Sequence, residues 1–81
     1  MKNVFNSMME FTTTKFDGFY KATNSVLPCY IEQVATIGWV ASYEDPKDLS
    51  ISDEMDFDTV GAAIAWLETK VPFSMKLAEF K

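Results

Sequence analysis

Seven carboxylates fall within residues 44–58: Glu44, Asp45, Asp48, Asp53, Glu54, Asp56 and Asp58, with Lys47 the single base among them. That stretch carries a net charge of −6, while the five acids and six lysines elsewhere sum to +1, giving the formal −5 of the chain. Clustered carboxylates can do three kinds of work: ligate a hard cation, act as a general acid and base, or attract a cationic surface.

A helix–loop–helix calcium site demands ligands at fixed spacing. Asp56, Asp58 and Gly61 meet positions 1, 3 and 6, but Val60 stands at position 5 and Leu67 at position 12, where a bidentate Glu is required. A looser carboxylate site among Asp45, Asp48 and Asp53 remains as an alternative, competing with a loop that is simply solvated. No dedicated metal site and no cofactor is expected.

Acid–base catalysis is poorly supplied. The chain has no His, so no side chain titrates near neutrality unperturbed, and neither Cys29 nor any Ser has an imidazole partner. It also has no Arg, and thus no bidentate clamp for a phosphate or carboxylate substrate. A pair of acids working alone needs a rigid cleft around its substrate, which a thin domain does not readily offer. Cys29, next to Pro28, reads as a small apolar residue. The chain is expected not to be an enzyme.

The third use fits best. Concentrated negative charge steers a cationic protein surface toward it and repels nucleic acid and anionic lipid. Trp39, Tyr43 and Trp66 add residue types that anchor protein interfaces. The expected contact surface is Trp39, Tyr43, Glu44, Asp45, Asp48, Asp53, Glu54, Asp56 and Trp66, and the expected partner is another protein with a basic surface. Neither direct nucleic-acid binding nor membrane binding is expected.

The elements that hold these residues are read from hydrophobic spacing. Val4, Phe5, Met8, Met9, Thr12, Phe16, Phe19, Tyr20 and Thr23 share one helical face, with only Phe11 out of place, so a helix is expected over residues 3–23. The rival is a hairpin turning at Asp17-Gly18, whose flanks alternate poorly. A second helix starts near Pro28, with Tyr30, Val34, Ile37 and Ala41 on its stripe and Trp39 and Tyr43 facing away. A third, capped by Asp58, carries Val60, Ile64, Leu67 and Val71 and stops at Pro72. Phe73, Leu77 and Phe80 suit a short last helix.

The fold expected is therefore all-α, a small bundle of three main helices plus a short C-terminal one. Residues 44–58 act as an acidic connecting segment, pinned to the core by Leu49, Ile51, Met55 and Phe57. The alternative is α+β with residues 30–43 as a strand, favoured by Ile31, Val34, Thr36, Ile37, Val40 and Tyr43.

Length and composition agree with a binding role. Eighty-one residues make one domain, spanning 1–81, that buries only roughly 60–65% of its unfolded surface. Apolar residues are nevertheless 48% and aromatics 15% of the chain. Such an excess is usually covered by a partner or a second copy, a homodimer included. A single cysteine and the lack of a leader or membrane-length apolar run lead us to expect a cytoplasmic protein.

In style, being small, acidic, Arg-free and poor in motifs, the chain resembles phage-encoded or mobile-element proteins that block host or defence machinery, anti-CRISPR proteins and nucleic-acid mimics among them. The resemblance spans the whole chain and has no residue motif behind it. It implies a non-enzymatic inhibitor or adaptor, in the host cytoplasm if phage-encoded. The alternative function is a structural or assembly protein that homo-oligomerises, and a further one is the carboxylate cation binder.

Overall fold

The buried residues of the first four strands all lie on one face of a sheet. In the computed structural model, which describes Phe5 and residues 7–73, Phe11, Ala22, Cys29, Ile31 and Ala41 are all buried. Each sits on a strand whose next residue points to the opposite face. The strands are β1 (Phe11–Thr13), β2 (Phe19–Ala22), β3 (Cys29–Val34), β4 (Gly38–Asp45) and β5 (Asp48–Phe57). They form one antiparallel sheet in sequential order, so β1 and β5 are its edges.

The register fixes the two faces. Phe11 opposes Ala22, Tyr20 opposes Ile31, Ile31 opposes Ala41, and Ala41 opposes Met55. These residues form one face, extended by Cys29, Trp39, Tyr43, Asp53 and Phe57. The other face carries Phe19, Lys21, Tyr30, Glu32, Val40, Ser42, Glu54 and Asp56, and no described element covers it.

Helix α1 (Val60–Lys70) closes the first face. Its buried Ala63, Ile64 and Leu67, followed by Val71, meet Met9, Phe11, Ile31 and Ala41 in a single core cluster. Thr59 caps it, its hydroxyl accepting from the Ala62 N–H at 3.2 Å. The Val71 N–H donates back to the Leu67 carbonyl at 2.9 Å, and Pro72 forbids another turn. The chain then returns to the sheet, where the Val26 N–H donates to the Pro72 carbonyl at 2.8 Å.

Two turns need glycine. At Gly18 (φ +72°) the β1–β2 loop turns back, and the Gly18 carbonyl accepts the Gln33 N–H at 2.7 Å. At Gly38 (φ +115°) β4 begins, with its backbone pressed against β5. The β4–β5 turn, Pro46-Lys47, is held by the Asp45 carboxylate, which accepts the Lys47 N–H at 2.9 Å.

The all-α bundle is thus overturned, and with it the description as a small helical domain. Where residues 3–23 are described, the expected helix is instead an irregular lead-in up to Glu10, then β1, a five-residue loop and β2. The Asp17-Gly18 hairpin, set aside on the sequence, is the correct topology, with a longer loop than two residues. The helix near Pro28 is β3 and the start of β4. The strand alternative for residues 30–43 is also replaced, because two strands joined by a turn at Ala35–Ile37 occupy that range. Aromatic and β-branched side chains on both sheet faces hid the alternation and gave a false helical stripe.

The third helix stands where expected, except that Thr59 and not Asp58 is its cap. The acidic connecting segment is not a linker: it is the end of β4, a tight turn and the whole of β5. Nor do Leu49, Ile51 and Met55 pin it to the core, being 72%, 46% and 49% exposed. The last expected helix lies, beyond Phe73, outside the described residues. Among those described, no helix is long and apolar enough to cross a membrane.

Candidate protein-docking surface

Strand β5 is the longest in the sheet and has only one neighbour. At about 3.3 Å per residue its ten residues run roughly 33 Å, whereas the eleven residues of α1 span only about 16 Å. The helix therefore shields only the end of β5 near Phe57. Every residue from Asp48 to Asp56 is exposed.

Backbone direction follows from the ladder. The Glu44 N–H donates to the Pro28 carbonyl at 3.2 Å, so even-numbered residues of β4 turn their backbone groups toward β3. Odd-numbered ones turn toward β5. Since Ala41 opposes Met55 and Tyr43 opposes Asp53, the odd residues of β5 face inward and Ser52, Glu54 and Asp56 face the open edge. Asp53 confirms the assignment by bending its carboxylate round to accept the Glu54 N–H at 2.8 Å.

Side chains split the same segment into two faces. Ser52, Glu54 and Asp56 lie on the uncovered face, beside Ser42, Val40 and Tyr30 across the ladder. Asp53, Met55 and Phe57 lie on the helix side. Nearer the turn the register shifts between Glu44 and Asp45, so Leu49, Ser50 and Ile51 oppose no residue of β4 and bulge out. The Asp48 carboxylate accepts the Ser50 hydroxyl at 2.6 Å and its N–H at 3.1 Å, which holds this carboxyl below the usual range.

The nine expected contact residues divide into two groups. Glu44, Asp45, Asp48, Asp53, Glu54 and Asp56 all lie on the β4–β5 hairpin, the last four of them on the edge strand. Trp39, Tyr43 and Trp66 lie between sheet and helix, half-buried, so Trp39 and Tyr43 do not face away from the apolar stripe as a helical reading placed them. Trp39 packs edge-on against Phe5 at 6.0 Å between ring centroids, and Trp66 lies between Tyr43 at 5.7 Å and Phe57 at 5.8 Å. Tyr43 joins the two groups, because it stands directly opposite Asp53.

Comparison with protein-family models, with curated proteins and with solved structures gives no match. Sequence reasoning missed Tyr30, Ser42 and Ser52, which line a shallow recess with Glu44 and Glu54 on the uncovered face. Their signal was a serine two residues from an acid on each strand, visible only once β4 and β5 are paired.

Elsewhere the chemistry is subdued. Cys29 is fully buried, and burial pushes its thiol above the usual range, against the smaller opposing effect of a hydrogen bond with Ser25. A reactive thiol requires the reverse shift. Among the described residues no three carboxylates or thiols converge on a point fit to hold a metal ion. The apolar groove between Met8 and Ile64 contains one acid, Glu68, and its carboxylate accepts the Met9 N–H at 2.9 Å.

The raised thiol pKa has a sign that can be measured. Above the ordinary thiol value of 9.0 the unfolded chain has lost its Cys29 proton while the folded chain keeps it. The unfolded state then binds fewer protons, so stability falls as pH rises. This contribution is intact below 9.0 and disappears as pH climbs through the higher folded value. Denaturant midpoints measured from neutral to alkaline pH should drop more steeply for the native chain than for Cys29→Ala. Equal slopes would contradict a buried, protonated thiol.

Proposed function

We propose that this chain is a non-enzymatic binding module whose β4–β5 hairpin docks on a basic surface of another protein, acting as an inhibitor or adaptor. One observation carries the reading. Six exposed or half-exposed carboxylates occupy the one hairpin that outreaches the helix, and four of them lie on a strand with an open edge. Charges placed to keep a protein soluble are normally dispersed and mixed in sign.

The partner follows from this charge. Lys- and Arg-lined grooves complement it, including those that other proteins use to hold phosphate backbones, and a carboxylate row seated there excludes nucleic acid. This supports an inhibitor acting in place of nucleic acid. A cytoplasmic setting is part of the same proposal.

The test is salt. Binding of a fluorescent Lys-rich peptide is measured at about 0.01 M and about 0.15 M ionic strength, where charges are screened over roughly 30 Å and 8 Å. Affinity should fall by at least about tenfold between the two, as expected where long-range attraction dominates encounter. Absence of binding at low salt, or binding indifferent to salt, would overturn the proposal.

A further inference from the structure

We infer that the occupant of the β5 edge is an extended, Lys- or Arg-bearing segment of a partner, which adds to the sheet as a sixth strand beside Ser52–Phe57. This rests on the docking reading above and specifies its geometry.

Three observations converge on strand addition. The first is the open edge: Ser52, Glu54 and Asp56 turn three N–H and three C=O groups away from β4. Exposed edges of this kind are templates for another strand. Secondly, the two side-chain faces of the segment differ. A strand laid alongside places alternate residues against Glu54 and Asp56 on the uncovered face, and the intervening ones against Met55 on the helix side. Opposite charges in neighbouring strands stabilise the pairing, so the segment selected alternates basic residues with apolar or neutral ones.

The third observation is Asp53. Its carboxylate holds the Glu54 N–H at 2.8 Å, which closes the middle of the edge. An incoming strand replaces this bond with one from its own carbonyl. The freed Asp53 carboxylate, directly opposite Tyr43, then faces the newcomer and is available to a cationic side chain. A neutral strand gains nothing from that release. A second copy pairing through its own β5 would set Glu54 and Asp56 against acids, and like charges across a ladder are destabilising, while its other edge, β1, has only three residues to offer. Charge therefore favours a cationic partner over self-pairing.

The experiment uses the full chain and three versions of one peptide, Lys-Val-Lys-Thr-Lys-Val-Lys. One is unmodified, and the other two carry backbone N-methyl groups on alternate residues, in the two opposite phases. In an added strand, one phase points its N–H groups at β5 and the other points them to solvent. Methylation of the inward phase should weaken binding by roughly tenfold or more, as removal of two or three backbone hydrogen bonds requires, and the outward phase should change it little. The Glu54 and Asp56 amides should also gain hydrogen-exchange protection when the unmodified peptide binds.

Salt-sensitive binding with equal affinity for all three peptides would overturn strand addition while leaving the docking surface in place. Failure of all three to bind at low salt would overturn both. Protection of the Glu54 and Asp56 amides in the chain alone, together with a dimeric mass, would show that a second copy covers the edge, against this inference.

Discussion

Gly38→Ala should lower the melting temperature by roughly 15 °C, the largest loss we expect from any single methyl added to this chain. Two costs act together. The residue sits at φ +115°, where a side chain is strained, and an added Cβ would stand 2.7 Å from the Phe57 carbonyl oxygen and 3.4 Å from that of Asp58. Both neighbours are backbone, so neither can swing aside. Strain of this kind costs about 1–3 kcal/mol before the collision is counted. For a domain of this size each kcal/mol corresponds to about 4–8 °C.

The position also matters for function. Gly38 opens β4 at the point where the β4–β5 ladder ends, next to the Trp39–Phe57 pair. Forcing the two strands apart there loosens the base of the hairpin that carries the acids. Thermal unfolding followed by far-ultraviolet circular dichroism checks this. A melting temperature within about 3 °C of the native value would contradict the close approach.

Neutralising the edge has the opposite profile. The triple substitution Asp53→Asn, Glu54→Gln, Asp56→Asn takes the net charge from −5 to −2 and preserves side-chain shape. An asparagine at position 53 keeps an oxygen able to accept the Glu54 N–H. Stability should stay the same or rise, because three exposed like charges close together on one strand repel each other. Affinity for a Lys-rich peptide at low salt should fall by about tenfold to a hundredfold, at up to about 1 kcal/mol for each exposed pair lost. Asp17→Asn, in the β1–β2 loop, serves as the control and should change affinity much less. Equal losses from the triple variant and from Asp17→Asn would show that only net charge matters and not its position.

How far the sequence alone led differs from element to element. Helix α1 was legible because eleven residues give several turns over which Ile64, Leu67 and Val71 repeat, with Pro72 as a stop. The strands were not. β1 and β2 have three and four residues, too few to show alternation. Moreover, Phe19, Tyr30 and Val40 place apolar side chains on the uncovered face as well, so apolar residues recur at helical spacing by coincidence.

β5 failed for a different reason. Leu49, Ile51, Met55 and Phe57 alternate along it, but acids are depleted in strands, and their density made the segment look like a loop. What the sequence did show was the gathering of charge in residues 44–58, most of which the fold places on the β4–β5 hairpin. Trp39 and Trp66 stood out as large aromatic residues, read as interface anchors. Only the pairing of β3, β4 and α1 reveals that they pack between sheet and helix.

The central claim is that the carboxylate-lined edge of β5 is where a basic partner sits. The most direct measurement is to follow backbone amide resonances as a Lys-rich peptide is added at low ionic strength. The account predicts that the shifted resonances cluster between Glu44 and Phe57, centred on Ser52, Glu54 and Asp56, and that the shifts collapse when salt is raised. Shifts centred on α1 or on β1, or shifts that persist undiminished in high salt, would contradict it.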